Sequence, residues 1–108
     1  MQFTKYPEKD YSVGVHVTSW LALEGRKTIE VTLRNEGRKI WPRDLVIVFL
    51  NPEHGRIQLQ NDLVGVESEI VFNFDAGKVR GHQTDFEICL CDEGLQSIGG
   101  VLSFQRKV

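Results

Sequence analysis

Along this chain, apolar and polar side chains alternate in short runs separated by turn residues. Successive side chains of a strand point to opposite faces, so a period of two predicts strands with one face turned to a core. Val13, Val15 and Val17 alternate with Gly14 and His16, and Glu24-Gly25 marks a turn. Ile29, Val31 and Leu33 repeat the pattern against Glu30, Thr32 and Arg34, until Asn35-Glu36-Gly37 stops it. From Asp44 to Asn51 the pattern changes, because Leu45 to Leu50 is apolar on both faces. That run predicts a strand covered on each side or central in its sheet, ended by Asn51-Pro52, since proline lacks an amide donor. Ile57 and Leu59 give a short fourth strand, and Ile70, Phe72 and Phe74 a fifth, closed by Asp75-Ala76-Gly77. Phe86, Ile88 and Leu90 give a sixth, closed by Asp92-Glu93-Gly94, and a seventh interrupted by Gly99-Gly100 runs through Val101, Leu102 and Phe104.

No helix-period stripe of useful length accompanies these strands. About seven short strands, each with one face to bury, predict an all-β, immunoglobulin-like antiparallel sandwich, with a closed barrel of similar strand number as the alternative. The sandwich is expected over residues 11–108, and residues 1–10, which carry no strand pattern, are expected to form a disordered N-terminal segment. The run Trp20 to Leu23 is the one apolar stretch outside a clear strand. Exposed, it would suggest an interface; packed inward, it joins the core.

Composition narrows the function classes. The chain has 108 residues, of which 41% are hydrophobic and 26% charged, close to globular averages, so one self-folding domain is expected. Its formal charge is −2, from 13 basic and 15 acidic residues, and its basic clusters are no longer than pairs such as Arg106-Lys107. A nucleic-acid partner needs a concentrated positive face, so none is expected. No segment approaches the roughly 20 apolar residues that span a bilayer, and Met1 to Asp10 does not read as a signal peptide. A cytoplasmic location without membrane attachment is the expectation. Cys89 and Cys91 stand two apart, whereas an immunoglobulin staple joins distant strands of opposite sheets, so no such disulfide is expected. A reducing compartment suits that.

The residues that carry chemistry are scattered. His16, His54 and His82 lie far apart, and no serine elbow, phosphate loop or His-Glu-x-x-His motif accompanies them. No catalytic residue is assigned, and the chain is not expected to be an enzyme. Cys89 and Cys91 share one strand face, but structural zinc needs four ligands, so the pair reads as half-buried strand residues. Glu67 and Glu69 read as a solvated, acidic strand face, and no turn holds enough carboxylates for calcium. Neither metal nor cofactor is expected.

One stretch is more specific. Leu33-Arg34-Asn35-Glu36-Gly37 leads through Arg38-Lys39-Ile40 to Trp41-Pro42 and then to the apolar strand from Leu45 to Leu50. This resembles the tryptophan-rich immunoglobulin-like domain, the FW or four-tryptophan domain, of selective-autophagy cargo receptors. The match covers about twenty residues closely and continues as a compatible strand order. Only Trp20 and Trp41 are present here, and Trp41 alone falls on a family position. The resemblance implies a non-catalytic module that docks a peptide or folded protein within a larger receptor or scaffold. Strand addition at a sheet edge, or insertion beside the Trp41 turn, is the implied mode. The candidate partner-binding residues are Trp41 with its flanking Arg38 and Arg43, since tryptophan and arginine are enriched at hot spots, and Trp20, from its own apolar run. For both tryptophans the competing expectation is burial in the core. The alternative function is structural: self-association through an open edge strand, giving a homodimer or filament.

Overall fold

Two antiparallel sheets form the computed structural model, which describes residues 6, 7, 9–21, 27–51, 55–75 and 85–105. The strands are β1 (Val13–Leu21), β2 (Lys27–Asn35), β3 (Val46–Asn51), β4 (Arg56–Gln58), β5 (Glu69–Asp75), β6 (Asp85–Cys91) and β7 (Ser97–Gln105). One sheet has the order β1-β2-β5, the other β4-β3-β6-β7. The result is an all-β sandwich with two separate sheets, not a closed barrel. Among the described residues there is no helix, hence none long and apolar enough to cross a membrane.

The period of two is realised as expected. Ile29, Val31 and Leu33 of β2 are fully buried, and their neighbours Thr28, Glu30, Thr32 and Arg34 turn away from the core. Facing them are Ile47 and Phe49 of β3, with Ile88 and Leu90 of β6. Phe74 of β5 is the hinge between the layers. Its ring lies 5.0 Å from Phe49 and 5.3 Å from Phe86, both edge-on, and Phe86 stacks on Phe104 at 5.3 Å. Edge-to-face and offset rings add about 0.5–1.5 kcal/mol per pair beyond the area they bury.

The apolar run from Leu45 to Leu50 belongs to a strand that is central in its sheet, with β4 on one side and β6 on the other. β6 is covered more fully still: Ile88, Cys89, Leu90 and Cys91 are all buried, so the two cysteines are enclosed rather than half-exposed. Both are free thiols.

Three local expectations change. Trp20 and Leu21 are not outside a strand but form the end of β1, paired with Thr28 and Lys27. Glu67 does not share a strand face with Glu69. It sits in the preceding turn at φ 70°, where Ser68 N–H donates to the Gly65 carbonyl. Gly99-Gly100 does not break β7 but is accommodated inside it. Cys89 pairs with Val101 and Leu90 with Ile98, so the two glycines, at φ 77° and 74°, form a bulge. Only glycine enters that region without strain.

Of the N-terminal segment, Tyr6 and Asp10 are tied to the sandwich. The Tyr6 hydroxyl donates to Asp92 Oδ2 at 2.9 Å, and its ring meets Tyr11 edge-on at 4.8 Å. The Asp10 carbonyl accepts from the amides of Arg38 and Lys39.

Candidate functional site: the Trp41 end of the sandwich

Two connections, residues 36–45 between β2 and β3 and residues 59–68 between β4 and β5, meet at one end of the molecule. They are joined by a short antiparallel bridge between Trp41 and Val64. Trp41 N–H donates to the Val64 carbonyl at 3.0 Å, and Val64 N–H to the Trp41 carbonyl at 3.1 Å. Both side chains point inward, and the Trp41 ring has no exposed surface. Its indole nitrogen is buried without a hydrogen-bond partner, so the ring is held by packing alone.

Two asparagines fix this end. The Asn35 amide, itself fully buried, donates to the carbonyls of Lys39 at 2.9 Å and Val64 at 3.0 Å, and its Oδ1 accepts from the Gly37 amide at 3.1 Å. One side chain thus closes its own turn and clamps it to the opposite connection. Asn61 does the reciprocal work: its Oδ1 accepts from Leu45 N–H at 3.0 Å, and its amide donates to the Pro42 carbonyl at 3.2 Å. Gly37 is required by close approach, since a Cβ there would press into the backbone of Asp10 and Ser12.

Alternation along the bridge sends the neighbours of Trp41 and Val64 outward. Ile40 and Leu63 are each 55% exposed, and Pro42, opposite Leu63 in the bridge register, is half-buried between them. Around this apolar strip stand the exposed side chains of Arg38, Lys39 and Arg43. Arg43 Nε lies 3.8 Å from Asp62 Oδ1, but both side chains are largely in water, so the pair contributes little to stability.

The four residues singled out from the sequence therefore separate. Arg38 and Arg43 are exposed at this end. Trp41 lies between them in the chain but is enclosed, the fate expected of a core plug rather than of an anchor. Trp20 is not brought near: it pairs with Thr28, whereas Val13 pairs with Asn35, which puts it at the far end of the β1–β2 ladder, about 23 Å along the strand. Its side chain lies outside the described residues. What the sequence reading missed is the outward pair Ile40 and Leu63 and the clamp at Asn61. The available signal was a pair of adjacent large apolar residues, Ile40-Trp41 and Leu63-Val64, inside each of two connections, of which only one member can face inward.

The remaining chemistry is spread out. His16 is exposed on the outer face of β1 opposite Thr32, and His54 and His82 lie outside the described residues. Among the described residues no three of His, Cys, Asp and Glu cluster as metal ligands. Burial pushes the Cys91 thiol up to about 12, helped by Cys89 and Asp92, and burial also raises Cys89. Thiols held protonated are poor nucleophiles and poor ligands. No family model matches the sequence, and comparison with curated proteins and with solved structures also returns no match.

Proposed function

We propose that this chain is an immunoglobulin-like, non-catalytic protein-interaction module that docks a peptide or folded partner as one part of a larger receptor or scaffold in the cytoplasm. The observation that carries this reading is the strip in which Ile40 and Leu63 stand exposed beside half-buried Pro42, with the exposed side chains of Arg38, Lys39 and Arg43 nearby in the chain. Ile40 and Leu63 are left exposed at an end of the fold that Asn35, Asn61 and the Trp41–Val64 bridge tie together by hydrogen bonds, so they are presented on a braced support. An apolar centre with a polar, arginine-bearing rim is the anatomy of a protein-binding patch. The resemblance to the FW domain of autophagy cargo receptors supports the same reading, through residues that build this end. Asn35 and Gly37 shape the turn and Trp41 fills the interior beneath it, while Arg38 and Arg43 are left to meet a partner. Two buried, unpaired thiols suit a reducing compartment.

Affinity capture from cell lysate with the wild-type chain and with Ile40→Asp and Arg43→Glu variants tests the reading. Both substitutions are at exposed positions and should leave the fold intact, as circular dichroism would check. The expected result is a protein retained by the wild type and lost from both variants. Retention of every bound protein by both folded variants would remove the strip as a docking surface.

A further inference from the structure

The hydrogen-bond parity of the β1-β2-β5 sheet defines an open edge. Glu36 N–H donates to the Ser12 carbonyl, and Asn35 N–H to the Ser68 carbonyl. Even-numbered residues of β2 therefore bond to β1 and odd-numbered ones to β5, in the register Leu33 to Ile70 and Val31 to Phe72. Ile70 and Phe72 consequently use their backbone groups on β2. The amides and carbonyls of Glu69, Val71 and Asn73 point the other way, away from β2, on the side where the sheet ends because β5 is its last strand. The opposite margin of the sandwich is partly closed: β1 packs on β7, with Val13 so near Gly99 that a Cβ there would come within 2.7 Å of its methyl.

Beside the β5 edge runs a groove of about 280 Å³ lined by Leu59, Gln60, Asn61, Ile70 and Val71. Val71 is 51% exposed on the outer face, a β-branched residue without a cross-strand neighbour on its open side. The edge is also acidic. Residues 66–75 include Glu67, Glu69 and Asp75 and no lysine or arginine, so this one strand and its turn hold more negative charge than the net charge of the whole chain. Arg34 stands across from Glu69, but on the β2 side.

We propose that the open edge of β5 accepts an extended, basic segment of a partner protein by strand addition, with an apolar side chain beside Val71 and lysine or arginine beside Glu69. This rests on the reading of the chain as a protein-binding module and names the chemistry of its partner. Backbone hydrogen bonds to Glu69, Val71 and Asn73 supply affinity, and a charged contact and an apolar one two positions apart on the outer face supply selectivity. A second copy of this chain is the poorer occupant. The antiparallel register that pairs all of β5 with itself sets Glu69 opposite Asp75, and like charges directly opposite are destabilising. Acidic residues on an edge are a common guard against self-pairing, and they leave the edge open to a strand of opposite charge.

The test uses the whole chain, isotope-labelled, and a short synthetic lysine–valine peptide in which lysine and valine stand two positions apart on one strand face, separated by threonine, with the glutamate–valine peptide that replaces each lysine by glutamate and the lysine–valine peptide N-methylated at alternate amides as controls. The first peptide is expected to bind at low salt and shift the amide signals of Glu69, Val71 and Asn73. The N-methylated peptide, which keeps the charge and loses the edge hydrogen bonds, should bind about tenfold more weakly or worse. Val71→Pro deletes an amide that β2 does not use and should weaken binding as much, and Glu69→Lys should shift preference toward the glutamate–valine peptide. Equal binding of the N-methylated peptide, shifts confined to other strands, or no binding would each overturn the proposal. If binding fails while lysate capture remains sensitive to Arg43→Glu, only the β5 assignment falls; if both fail, the protein-binding reading falls with it.

Discussion

Asn35 shows how much a single side chain can decide. It is buried with all three of its hydrogen bonds directed to backbone that must meet at one point, so Asn35→Ala strands the Lys39 carbonyl and the Gly37 amide and leaves the Val64 carbonyl with the Trp41 amide alone. The expected cost is about 2–4 kcal/mol, seen as a lower urea midpoint with an unchanged slope. The Leu-Arg-Asn-x-Gly sequence was legible as a unit because asparagine and glycine punctuate turns. Its role as a clamp was not, because the Val64 carbonyl it reaches is 29 positions away. Titration supplies a second outcome at this scale. Burial and the Asp92 carboxylate raise Tyr6 from 10.0 to about 12, and burial raises Cys91 from 9.0 to about 12. Both groups are neutral when protonated and hold their protons more tightly in the fold than in the unfolded chain. Their contribution is therefore complete below about pH 9 and is lost as pH rises toward 12. Denaturation midpoints should be level from pH 7 to 9 and then fall, and Tyr6→Phe should make that fall shallower.

Strands were the most readable level. Each of the seven was visible, most through period-two alternation, which reports a strand with one wet face and which β2 keeps from Thr28 to Arg34, and β3 through a run apolar on both faces. Readings failed where an element departs from that condition. β1 continues through Trp20-Leu21, where the polar–apolar alternation is lost, and β7 absorbs two glycines that read as an interruption. The bulge yields a test. Gly99→Ala places a Cβ at a positive φ and 2.7 Å from a Val13 methyl, which should cost about 1–3 kcal/mol. Adding Val13→Ala should relieve the clash but not the backbone strain, so the double variant should be less unstable than the sum of the two changes.

At the scale of the molecule, the sandwich holds two cysteines and no disulfide, and the sequence showed this through their spacing alone. Cys89 and Cys91 should resist an aromatic disulfide reagent at pH 8 in the native state and react together on unfolding, and reductant should leave the denaturation midpoint unchanged. The candidate surface was legible only in part. Arg38 and Arg43 were found because they flank a conspicuous tryptophan, whereas the acidic margin at Glu69 becomes a margin only once strand order is known. That order also sets a timetable for synthesis. β1, β2 and β5 have all emerged by residue 75, but β3 must wait for β6, whose residues begin at 85, before its second side is paired. A nascent chain stalled between those points carries one finished layer and an oily, half-zipped strand, so it is the stage at which a holding chaperone would be needed most.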